Sequence, residues 1–160
     1  MSTDLNSAVA LRGHGQAGAV RQELARVGRS ADLVMLFTLC GQALVAQLVA
    51  WRYGGAGLAF GVSALALVAG AFAFRAARGT FLSQVVLTLC NVVLVALAIQ
   101  LGRGTVEFHF GVFVLLGLLL VYRDWRALLV AAGAFAVHHV AFDRLQAAGA
   151  GFFACPTRTS

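Results

Sequence analysis

Five apolar stretches, each near the roughly 20 residues that cross a bilayer, follow one another with only short turns between them. They cover about 32–50, 56–74, 81–101, 106–121 and 127–146, the fourth being the shortest. The turns carry the charge and most of the interfacial aromatics: Trp51-Arg52-Tyr53-Gly54-Gly55, Arg75 with Arg78-Gly79, Gly102-Arg103-Gly104-Thr105, and Tyr122-Arg123-Asp124-Trp125-Arg126. Period-2 alternation is absent, which argues against a transmembrane barrel. No turn is long enough to hold a soluble domain, and no internal repeat is evident. Hydrophobic residues make up 61% of the chain and charged residues 11%, against roughly 25% charged in soluble domains. So few charges could not cover a soluble core. The expected fold is all-α, a polytopic membrane helical bundle of about five transmembrane helices.

Three regions follow. Residues 1–30 form a polar, basic segment in which Val20, Leu24 and Val27 recur at helical spacing between arginines. That pattern fits either a short amphipathic helix against the membrane face or a solvated tail. Residues 31–147 form the transmembrane domain, and 148–160 a short tail. The charge of +6 comes from arginine alone. Arg12, Arg21, Arg26, Arg29, Arg75, Arg78, Arg123 and Arg126 fall on one side, and Arg52, Arg103 and Arg144 on the other. Positive charge marks the cytoplasmic side, so the N-terminus is expected there, in a bacterial inner membrane. Trp51 and Tyr53 then suit the outer interface, and Tyr122 and Trp125 the inner one. Charge of this kind sets topology and does not imply nucleic-acid binding. A cleaved signal peptide is not expected, because the first apolar run starts late. Cys40, Cys90 and Cys155 match no zinc or CxxC spacing. Gln42, Gln47, Gln84, Asn91 and Gln100 read chiefly as interhelical hydrogen-bonding groups. His14, between glycines, reads as exposed.

The candidate site lies in the last two apolar stretches. At about 1.5 Å per residue, His109 is about 20 Å from Tyr122, and His138 and His139 are about 20 Å from Trp125. Both arms of the hairpin therefore reach histidine at one depth, in the outer third of the bilayer. Thr105 could cap the fourth helix, with Glu107 near its positive end. His139 and Asp143 are four apart and share a helix face, and His138 points about 100° away. Ionisable groups at membrane depth are functional candidates. Imidazoles beside carboxylates suit copper or zinc, which makes His109, His138, His139, Glu107 and Asp143 the candidate metal ligands. Bis-imidazole ligation of haem is an alternative, as is proton sensing. Asp124 suits the N-cap of the fifth helix. No nucleophile–base pair stands out, so enzymatic chemistry is not expected.

Val-Glu-Phe-His-Phe at 106–110, Val-Tyr-Arg-Asp-Trp-Arg at 121–126 and Ala-Val-His-His at 136–139, with Arg29-Ser30-Ala31-Asp32 and Met35, resemble the multi-span N-terminal sensor region of bacterial methyl-accepting chemotaxis proteins. The likeness covers roughly 25–150. It implies a sensory input module, with the conserved polar positions falling on Glu107, His109, His138 and His139. Members of that group carry a sixth span with another histidine, then long cytoplasmic signalling helices; this sequence departs from that pattern and reads as a truncated or isolated input module. The bilayer is the expected partner, together with a second copy in a homo-oligomer such as a dimer. The competing reading is a small redox or transport membrane protein that uses the same histidines.

Overall fold

The computed structural model describes residues 2–149, and within its first helix the side chains from residue 18 onward except 19, 21 and 24. His14's side chain and the tail with Cys155 and Arg158 lie outside the described residues. Five α-helices follow in order: α1 (Ser2–Tyr53), α2 (Ala56–Ala77), α3 (Phe81–Leu101), α4 (Val106–Leu119) and α5 (Trp125–Ala147), with a 3-10 turn at Leu120–Tyr122 between the last two. The chain is an all-α helical bundle. Four segments, Ala25–Tyr53, Ala56–Ala77, Phe81–Leu101 and Trp125–Ala147, are long and apolar enough to cross a membrane. The fourth stretch is shorter: α4 and its 3-10 turn together span about 27 Å, near the ~30 Å of a hydrocarbon core.

Local chemistry sets the boundaries. Gly54 and Gly55, at φ 93° and 90°, end α1, since left-handed backbone is routine only for glycine. Thr80 caps α3 through its hydroxyl, which accepts from the Ser83 N–H. Asp124 caps α5 as expected, its carboxylate accepting from the Arg126 N–H at 2.9 Å. Thr105 occupies the N-cap position of α4, but its side chain makes no capping bond. One expectation changes at the N-terminus. No break separates residues before 30 from the first span; both belong to α1, a single helix of 52 residues, about 78 Å long.

α3 is the hub. It packs against α1, α2, α4 and α5, whereas α4 and α5 touch each other less than they touch α3. One core group joins α1, α3 and the hairpin through Met35, Leu87, Leu115, Leu119, Ala127 and Ala131. A second joins α1, α2 and α3 through Leu39, Ala43, Ala46, Ala59, Ala66 and Leu94. The alanines let α1 and α2 approach closely, as small residues do where lipid supplies no hydrophobic drive between helices. Trp51 and Trp125 are exposed at opposite ends, as interfacial anchors would be. Tyr122 is not an anchor of that kind: it is buried, and its hydroxyl is used inside the bundle.

Gly102 shows how tightly the turn after α3 is closed. A Cβ there would lie 2.1 Å from the Phe108 ring, and that ring packs edge-on against Tyr53 at a centroid distance of 6.2 Å. Phe108 cannot swing away without losing that contact. Gly102→Ala is therefore expected to cost about 1–3 kcal/mol, read as a lowered unfolding midpoint in detergent.

Candidate functional site

The hairpin brings the three histidines to one place. His109 on α4 and His138 and His139 on α5 line an open cavity of about 280 Å³, together with Ile99 of α3 and with Val112, Phe113 and Phe135. The His109 and His139 rings meet edge to face with centroids 6.1 Å apart. Equal spacing from the turn thus becomes contact between the arms. His109 is half-buried, and its Nδ1 lies 3.1 Å from the Thr105 carbonyl oxygen one turn earlier. A carbonyl can only accept, so Nδ1 donates this bond. His138 is half-buried and packs at a tilt against Phe142, one turn on, with ring centroids 4.1 Å apart. Its Nε2 is buried with no hydrogen-bonding partner. His139 is exposed.

The two carboxylates do not join them. Glu107 is exposed in the first turn of α4, and it lines a different cavity with Gln42, Phe108 and Val114. Asp143 is exposed one turn beyond His139 and does not line the histidine cavity. Among the described residues, no three His, Cys, Asp or Glu side chains are placed to hold a metal ion together. The expected five-ligand set thus reduces to a histidine group. The reason is geometric: the first turn of α4 turns Glu107 away from the seam that holds His109.

The opposite end of the bundle holds a second constellation, centred on Asp32. This residue is fully buried on α1. Its Oδ2 accepts from the Gly79 N–H at 2.7 Å and from the Ser83 hydroxyl. Its Oδ1 accepts from the Tyr122 hydroxyl at 2.9 Å. One carboxylate thereby ties α1 to the α2–α3 turn, to α3 and to the turn between α4 and α5. All three donors are neutral. Gly79 supplies its N–H from a left-handed conformation at φ +79°, and an added Cβ would fall 2.7 Å from Arg29 Cγ and 3.1 Å from the Ala25 carbonyl. The Arg78 guanidinium closes the same corner, donating to the Arg29 carbonyl at 3.3 Å and 3.4 Å.

The reading of spans by hydropathy missed this node. Asp32 sits at the boundary of the first apolar stretch, where a charge looks like a helix end. The available signal was a carboxylate one residue inside a span, which is costly unless something holds it.

The polar residues of the spans divide. Asn91 Nδ2 donates to the Met35 carbonyl at 3.2 Å and to the Leu87 carbonyl at 2.8 Å. Gln47 Nε2 donates to the Ser63 hydroxyl at 3.3 Å. The bonds to Met35 and Ser63 are the interhelical ones expected, and the bond to Leu87 lies within α3. Neutral bonds of this kind between membrane helices average about 0.6 kcal/mol. Gln47→Leu should accordingly shift unfolding by no more than about that amount. By contrast, Gln84 Nε2, Thr88 Oγ1 and Asn91 Oδ1, at helical spacing along α3, are buried without partners.

No protein-family model, no curated protein and no solved structure matches the chain significantly.

Proposed function

We propose that this chain is a membrane-embedded sensory input module of the kind that heads chemotaxis-type transducers, seated in a bacterial inner membrane with its N-terminus inside and acting as a homo-oligomer. One observation carries the reading: three histidines from two helices line a single cavity, and one of them, His138, has its Nε2 buried without a protein partner. A buried ring nitrogen left unpaired is costly, and a ligand in the cavity would satisfy it. The resemblance of residues 106–110, 121–126 and 136–139 to chemotaxis sensor regions points the same way.

The ligand class follows from the donors. Two imidazoles each about 2 Å from a shared tetrahedral ion hold their ring centroids about 5 Å apart, so His109 and His139, edge to face at 6.1 Å, would close by about 1 Å and turn to share one ion. Copper and zinc suit imidazole. A cavity of about 280 Å³ favours an ion or a small molecule over the larger haem macrocycle. Such an ion would be held by His109 and His139, with His138 as the third donor after a change of rotamer. A bound ion supplies a charge that draws the two rings together.

A sensor also needs an element that responds. The cavity opens in the seam between α4 and α5, which pack loosely on each other. The far end of that hairpin is tied through Tyr122 to Asp32 on α1. α1 then runs on to Ser2 as one helix. A ligand that prefers one hairpin geometry shifts the population toward it by its differential affinity, and the Tyr122–Asp32 bond passes the change to α1. The test is hydrogen exchange on the full chain in nanodiscs, with and without Zn²⁺ or Cu⁺. Protection should change in 106–147 and also in α1 around Asp32. A change confined to the hairpin would contradict an input role.

A further inference from the structure

We propose that the cavity at the Asp32 end binds a zwitterionic ammonium–phosphate group, of the phosphoethanolamine type, supplied by lipid of the inner leaflet. The inference rests on the membrane orientation above and is independent of the histidine cavity.

The cavity has a volume of about 440 Å³, and its wall includes Asp32, Phe81, Gln84, Tyr122, Arg123 and Asp124. It lies among the α2–α3 and α4–α5 turns, which places it at headgroup depth. Both signs of charge meet there. Asp32 and Asp124 supply carboxylates. Arg123 supplies a guanidinium, and Arg126 holds a second one over the Phe81 ring at 5.4 Å. The Asp32 carboxylate accepts its hydrogen bonds from neutral groups, and the Arg78 guanidinium stands at the same corner.

Gln84 adds the second observation. It is only 7% exposed, it lines this cavity, and its Nε2 is buried with no partner. A buried amide N–H that lacks an acceptor is costly, so an acceptor oxygen from a ligand is favoured there. A simple anion would satisfy Gln84 and Arg123 but would face two carboxylates. A simple cation would suit the carboxylates, meet Arg123, and leave Gln84 unpaired. A group carrying both charges fits: phosphate oxygens toward Arg123 and Gln84, and the ammonium toward Asp124, with Asp32 buried behind it. The ammonium must donate a hydrogen bond to the Asp124 carboxylate, so a primary amine is favoured over a quaternary one.

The test is native mass spectrometry of the full chain in mild detergent with phosphatidylethanolamine, phosphatidylglycerol or phosphatidylcholine added. The expected result is retention of phosphatidylethanolamine over the other two by about tenfold, the ratio that one charge-assisted contact supplies. Gln84→Leu and Arg123→Gln should each lower that retention to the phosphatidylcholine level. Gln84→Leu removes an unpaired buried donor and keeps similar bulk, so it should fold at least as well as the parent. A His109→Ala, His139→Ala variant should retain the lipid unchanged, which separates this site from the histidine cavity. Free phosphoethanolamine distinguishes the source: no displacement at millimolar concentration supports the lipid, and full displacement assigns the site to the soluble compound instead. Equal retention of the three lipids, or unchanged retention in both cavity variants, would overturn the proposal.

Discussion

Asp32→Ala is expected to destabilise the bundle by about 3–5 kcal/mol, the cost of stranding the partners of a buried carboxylate. The substitution leaves the Gly79 N–H, the Ser83 hydroxyl and the Tyr122 hydroxyl without their acceptor at a fully buried position. Three connections fail at once, because those donors come from three separate parts of the chain. Tyr122→Phe tests the same node with a smaller perturbation. It removes one donor and leaves the carboxylate two others, so about 1–2 kcal/mol should be lost. The check is an unfolding titration in mixed micelles followed by tryptophan fluorescence. An Asp32→Ala midpoint equal to that of Gln47→Leu would mean that the carboxylate is no more than an ordinary polar contact. Gly79→Ala should fall between them, because it forces φ +79° on a residue with a Cβ and presses on the Ala25 carbonyl.

The second large effect concerns the histidine cavity. Replacing His109 and His139 together by alanine should weaken Zn²⁺ or Cu⁺ binding by more than about 100-fold, since even outer-shell partners of a metal contribute 10–100-fold. The fold should survive, because His139 is exposed and His109 half-buried. Glu107→Gln and Asp143→Asn should change affinity little, because neither carboxylate lines the cavity. Acid should weaken binding in the parent chain: a ligating imidazole must be neutral, so binding releases protons and is opposed as pH falls. Competition with a metal indicator over a pH series measures both effects. Carboxylate variants as damaging as the histidine variants would mean that Glu107 and Asp143 join the site when it is filled.

Much of the architecture was legible in the sequence because a bilayer restricts backbone so severely. Apolar stretches of about 20 residues between arginine-bearing turns leave helices as the economical solution, and Gly54-Gly55 and Asp124 mark two of the boundaries. The meeting of His109 with His139 followed from counting outward from a common turn, because helical rise is constant. What counting could not give was rotation about the helix axis. It placed Glu107 and Asp143 within a turn of the histidines along their helices, yet only the packed bundle shows that neither lines the histidine cavity. Tyr122 shows the same limit: a tyrosine at a span end suits the interface and a buried hydroxyl equally well, and the choice depends on Asp32, 90 residues away in sequence. The N-terminal segment ran into another limit. Val20, Leu24 and Val27 between arginines fitted a short surface helix or a solvated tail, and the segment is continuous with the first span in α1.

The most direct measurement is the metal content and visible absorption spectrum of the full chain purified in mild detergent, beside a His109→Ala, His138→Ala, His139→Ala variant. A histidine cavity that binds a ligand predicts about one copper or zinc ion per chain, present on purification or after reconstitution and absent from the variant. A parent chain that stays empty after reconstitution with copper, zinc and haem, or a variant that holds as much as the parent, would contradict it.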